Sequence, residues 1–132
     1  GKMVDDPRAV LSYVGDMDTG VIITIHALTK SGDITLYNVN TREHFKIFDA
    51  QIKALTGAVF DAGDDIIIST MKGNKYARLL RDGKETNIIS AVDMDADWFQ
   101  VSNGVNMFNF VTQEEEANLL ITFSYKNAYG GI

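Results

Sequence analysis

Short runs rich in Val, Ile, Thr, Phe and Tyr recur along this chain, and each is cut off by a Gly, Asn or Asp cluster too soon for a long helix. Gly20 to Leu28, "GVIITIHAL", starts at a glycine and is β-branched through its middle, so it reads as a strand with much of both faces covered. Ser31-Gly32-Asp33 turns into a second strand, Ile34 to Val39. Asn40-Thr41-Arg42 turns again into Glu43 to Phe48, where His44 and Lys46 alternate with Phe45 and Ile47. That alternation suits a sheet with one wet face. Ala62-Gly63-Asp64-Asp65 precedes a strand from Ile66 to Thr70, and Lys72-Gly73-Asn74 joins it to Lys75 to Leu80 as a hairpin. Asp82-Gly83 carries the chain into Glu85 to Ile89, and Ser102-Asn103-Gly104 into Val105 to Thr112. Asn118 to Tyr125 then places Leu119, Ile121, Phe123 and Tyr125 on one face. Only Asp49 to Leu55 offers a short helix, with Asp49 as its N-cap. Strands at spacings of roughly 8 to 12 residues, with turn signals between them, predict an all-β antiparallel sandwich or barrel carrying one short helix. Pro7, the single proline, stands outside every strand, as a sheet demands.

A chain of 132 residues fits one domain, read as a lead-in over 1–9 and a domain over 10–132. With 45% hydrophobic residues it has material for an ordinary packed core. Its net charge of -6 repels phosphate backbones, and no window of five residues holds more than two Lys or Arg, so no nucleic-acid partner is expected. No apolar run approaches the roughly 20 residues of a membrane helix, and the opening Gly1 to Pro7 lacks the apolar stretch of a signal peptide. The absence of cysteine removes disulfides, thiolate zinc sites and a Cys nucleophile together.

Asp93 to Phe99, "DMDADWF", carries carboxylates at every second position. A calcium loop of the EF-hand type needs Gly at the sixth position for its turn and Glu at the twelfth as a bidentate ligand. Trp98 and Gly104 stand there instead. A Ser-His-Asp triad on a nucleophile elbow lacks its G-x-S-x-G, and the two histidines, His26 and His44, lie in separate predicted strands with no metal-ligand spacing. His26 reads as a half-buried or sheet-surface residue and His44 as a solvent-face residue. Carboxylate pairs for glycoside hydrolysis arise by chance among 13 Asp and 5 Glu. Asp33, Asp64, Asp65 and Asp82 read as turn residues whose side chains satisfy backbone N–H groups. No catalytic residue, metal or cofactor is expected. Trp98 and Phe99 are the candidate contacts for a carbohydrate or a partner protein: strand alternation would bury one ring and expose the other.

Four segments in order resemble one family. They are "GDMDTGVIITIHA" (Gly15 to Ala27), "ITLYNVNTREHFKI" (Ile34 to Ile47), "GDDIIISTMKGNKYARLLRDGKETN" (Gly63 to Asn87) and "DMDADWFQVSNGVNMFNF" (Asp93 to Phe110), closed by "ITFSYKNAYGGI". Together they are similar to the C-terminal domain of the siphophage distal tail protein, a phage tail family protein of the baseplate hub. The resemblance implies a galectin-like β-sandwich and a non-enzymatic virion component of the tail tip, made in the host cytoplasm. It implies that the acidic-aromatic segment is a structural turn, with rings inward and carboxylates on water or on amides. It further implies that six copies of the full-length protein ring the end of the tail tube and dock the tail-associated lysin or receptor-binding proteins. The ring-forming half is expected to lie outside these residues, so the fragment itself is expected to be a monomer. A carbohydrate-binding module that touches the host wall is the alternative. An apolar-aromatic patch facing outward favours the adaptor, and an exposed Trp98 over a polar groove favours sugar.

Overall fold

In the computed structural model, which describes residues 8–15 and 17–125, the β-branched runs pair into antiparallel sheets. The elements in chain order are β1 (Arg8–Tyr13), β2 (Thr19–Gly20), β3 (Ile22–Ala27), β4 (Ile34–Asn38), β5 (Glu43–Ile47) and α1 (Asp49–Thr56). There follow β6 (Asp65–Met71), β7 (Asn74–Arg81), β8 (Lys84–Asn87), a 3-10 turn (Ile89–Ala91), β9 (Gln100–Val101), β10 (Gly104–Thr112) and β11 (Leu119–Ser124). One sheet has the order β1-β10-β4-β5 and the other β11-β3-β6-β7-β8, while β2 and β9 form a two-stranded ribbon. The β-rich, antiparallel expectation is met, with one short α-helix among the described residues. Asp16, Asp5 and Asp6, Pro7, and the closing stretch 126–132 lie outside the described residues.

Both sheets feed one core. Ile34, Leu36, Phe45, Ile47 and Phe108 come from the four-stranded sheet, and Ile23, Ile25, Ile66, Ile68 and Leu79 from the five-stranded one. Period-two alternation drives this: in β4 and β5 every second side chain is buried, with Tyr37 and His44 on the wet face. Leu119, Ile121, Phe123 and Tyr125 share the core-facing side of β11, as predicted, and Leu120 points out.

Several boundaries differ from expectation, each for a local reason. "GVIITIHAL" splits, because Val21 breaks from the ladder and gives its N–H to the Thr70 hydroxyl at 2.8 Å. Within β3 burial alternates, so Ile22, Thr24 and His26 keep a half-open face that the run of apolar residues had concealed. The strand expected over Glu85 to Ile89 ends at Asn87, whose side-chain oxygen takes the Ile89 N–H at 2.9 Å and turns the chain. Asp65 is a strand residue, since its backbone continues the pairing of His26 and Leu80. β1 begins at Arg8 and pairs with β10 from Asn109 onward, inside the stretch expected to lead in. The helix extends to Thr56, and its N-cap is Phe48, which makes no side-chain cap bond. Asp49 sits in the first turn and reaches across to the Phe60 N–H at 2.9 Å. Gly57, at φ 94, ends the helix in the left-handed conformation that a Cβ disfavours.

Candidate functional site

The segment Asp93 to Phe99 runs along the open edge of β5. Ile47 bridges Val92, the Phe48 N–H donates to the Ala91 carbonyl at 2.8 Å, and the Asp93 N–H to the Lys46 carbonyl at 2.9 Å. At the far end, the Asp97 N–H donates to the His44 carbonyl at 2.8 Å, and the Asp97 carboxylate accepts the His44 N–H at 3.0 Å. Between these anchors the Asp93 carboxylate takes the Asp95 N–H at 3.0 Å and closes a tight turn with Met94 at its exposed tip. Two of the three carboxylates therefore accept backbone N–H groups. The acidic stretch is an irregular cover over a sheet edge, and an uncovered edge would be a template for another chain.

Its aromatic end enters the core. Phe99 is 0% exposed, tilted against Phe45 at 6.2 Å and Phe108 at 5.6 Å between ring centroids. Phe108 in turn stacks on Phe123 at 4.3 Å, so a file of rings connects the two sheets. Trp98 is half-buried at the rim, edge-on to Phe45 at 4.9 Å, with the Lys75 ammonium 5.8 Å over its ring. Of the two candidate contact residues, only Trp98 has surface to offer. Phe99, placed inward by the file of rings, has none. The segment is pinned from below by Thr70, whose hydroxyl donates to the Phe99 carbonyl at 2.6 Å, and by the Gln100 amide, which donates to the Thr70 carbonyl at 3.0 Å.

The histidines are not brought together. His26 on β3 hydrogen-bonds Asp65 through Nδ1 at 2.8 Å, and His44 on β5 lies 3.9 Å from Asp97. Both are partly exposed, consistent with a sheet-surface and a solvent-face position. Among the described residues no group of three or more His, Asp and Glu is placed to hold a metal ion.

Sequence reading missed the clip around Arg81. Its guanidinium grips buried Asp64 through Nε at 3.0 Å and Nη2 at 2.7 Å, and also bonds the Thr56 hydroxyl and the Val59 carbonyl. Asp64 accepts the Asp61 N–H as well, as a turn Asp should. Burial pushes the Asp64 carboxyl up, but the Arg81 and Asp61 bonds and the guanidinium charge outweigh it and hold the group below its ordinary value. Asp49 moves the other way: burial raises it, and the Phe60 bond recovers only part.

Also missed was an apolar patch on the outer face of the four-stranded sheet. Register places Val10 beside Met107 and Ser12 beside Val105, while the Val39 N–H donates to the Met107 carbonyl. Val10 is 60% exposed and Val105 58%, with Val39, Val111 and Tyr37 exposed on the same face. The signal was present in "GVNMFNFVT", where Val105, Met107 and Val111 share one parity, but inward Phe108 and Phe110 masked it.

Two antiparallel sheets around an aromatic core, with the Asp93 and Asp97 carboxylates bound to backbone and the two histidines held apart, define an antiparallel β domain. The family profile described as siphovirus-type tail component, C-terminal domain, matches residues 14–129, and the chain belongs to that family. It is the C-terminal domain of a siphophage distal tail protein, a non-catalytic structural component of the tail tip. No significant match emerges among curated proteins or solved structures.

Proposed function

We propose that this domain is the outward-facing docking module of the distal tail adaptor, with its two sheets closed as a galectin-like sandwich over residues 10–132 and 1–9 leading in. Six copies of the full-length protein ring the end of the tail tube, and each presents this module to the receptor-binding or tail-lysin proteins. The observation that carries the docking role is the outer face around Val10, Val105, Val39 and Tyr37, an apolar-aromatic patch of the kind a protein partner covers. Trp98 belongs to the framework in this reading, its ring shared between Phe45 and the Lys75 ammonium.

Introducing Val10→Asp together with Val105→Asp tests the surface directly. Both side chains are exposed, so the fold should stand while tails built with the variant lose their docked proteins. An unchanged set of tail-tip proteins on variant particles would remove this face from the docking role. Light scattering on the 132 residues alone should report a monomer. A stable hexamer would refute the assignment of ring formation to another part of the protein.

A further inference from the structure

The four-stranded and five-stranded sheets have four outer strands, and they are not equally open. β5 is covered by the Asp93 to Asp97 segment, and β1 and β11 lie against each other. β8 is different: it is the last strand of β11-β3-β6-β7-β8, with Lys84, Glu85 and Asn87 exposed. Its hairpin fixes which backbone groups are open. The two-residue turn Asp82-Gly83 makes Arg81 and Lys84 a bonded pair, and antiparallel pairing then alternates. Lys84 and Thr86 face β7, as does Ile88, whose N–H donates to the Ala77 carbonyl at 2.9 Å. The N–H and C=O of Glu85 and Asn87 therefore point away from the sheet.

A shallow groove adjoins this edge, lined by Leu55 and Thr56 of α1 and by Leu79, Arg81, Lys84 and Thr86, with the acidic residues Asp82 and Glu85 also at its wall. Leu55 is 41% exposed at its wall. A strand added beyond β8 would set the side chain opposite Thr86 into this groove, against Leu55. Lys84 has no carboxylate partner among the described residues. From these features we infer that the β8 edge is a strand-addition site. Its occupant is an extended segment of a partner protein, apolar at the residue facing Thr86 and acidic at the residue facing Lys84. A row of alternating donors and acceptors is satisfied by another extended backbone, and the unpaired ammonium selects the acidic neighbour.

The inference rests on the docking role proposed above but uses a different surface, so the two can fail separately. Amide exchange at Glu85 and Asn87 is compared between the isolated domain and assembled tails, alongside radical footprinting of Met107 and Tyr37 on the outer face. At least tenfold slower exchange at both amides in tails is expected. Tails carrying Glu85→Pro, which deletes one outward donor and is tolerated at an edge, should lose the protection of Asn87. Those carrying Lys84→Glu should lose it too, without any change in the fold. Unslowed exchange at Glu85 and Asn87 in wild-type tails overturns strand addition. If Met107 and Tyr37 are shielded in that case, the docking role survives. Protection of Asn87 that persists in both variants also overturns the inference.

Discussion

Asp64 and Asp49 lie in the same corner of the molecule and shift in opposite directions, which makes the acid side of the stability curve readable residue by residue. Asp64 is held below its ordinary value, so its contribution is full above the unfolded pKa of 3.8 and is lost as pH falls through the lower folded value. Asp49 is raised, so it favours the fold below 3.8 and loses that contribution as pH rises through its higher folded value. Two outcomes follow for urea midpoints measured between pH 3 and 7. Asp64→Asn should lower stability at pH 7, with the deficit shrinking toward pH 3. Asp49→Asn keeps an oxygen for the Phe60 N–H and should raise the midpoint at pH 7. A fall at pH 7 would show that the charge at the helix start outweighs the cost of burying it. The rings separate just as sharply. Phe99→Ala empties a fully buried site and should cost roughly 3 to 5 kcal/mol, a large part of the roughly 5 to 15 kcal/mol that holds such a domain. Trp98→Ala, at the half-buried rim, should cost less, and neither variant nor parent should bind host-wall glycans. A parent that binds glycan through Trp98 would favour the carbohydrate-binding module over the adaptor.

At the scale of elements, two local devices decide whether strands stay in register. Gly20 lets the β2–β9 ribbon lie against the end of β6: a Cβ there would stand 2.6 Å from the Met71 Cα and backbone N. Main-chain atoms cannot swing aside as a flexible side chain does, so Gly20→Ala should destabilise by about 1 to 3 kcal/mol, read as a lower urea midpoint. An unchanged midpoint would mean that the ribbon can slide outward at no cost. The second device is the Asp97 clasp on His44. Removing the carboxylate in Asp97→Ala should free one end of the edge cover and speed exchange of the His44 amide. If that amide exchanges as slowly as before, the carboxylate adds nothing to the backbone bonds and ring packing that hold the cover. Both devices were partly visible beforehand. The glycine that opens "GVIITIHAL" was legible as the start of a strand, but its reason, the approach of Met71 from a strand 51 positions on, exists only after the sheets pair.

For the whole molecule, the acidic stretch bears on ligand binding and on assembly alike. Because Asp93 and Asp97 accept backbone N–H groups, and Trp98 and Gly104 stand at the demanding positions of a calcium loop, millimolar calcium should leave the melting temperature unchanged. A rise of several degrees that a chelator reverses would contradict that. By itself the sequence determined the strands of β3 to β7 and β10, the single helix and the inward parity of β11, because period-two alternation and Gly or Asn turns are local signals. It also carried the family likeness, since ordered spacing survives without any one strong motif. Tertiary structure alone decided that β10 lies between β1 and β4, and which edge the Asp93 to Asp97 segment covers. It alone decided that Arg81 clips α1 to Asp64, and that Phe99 rather than Trp98 fills the core. Those outcomes depend on contacts between residues far apart in the chain, and local pattern holds no information about which distant strand supplies the partner.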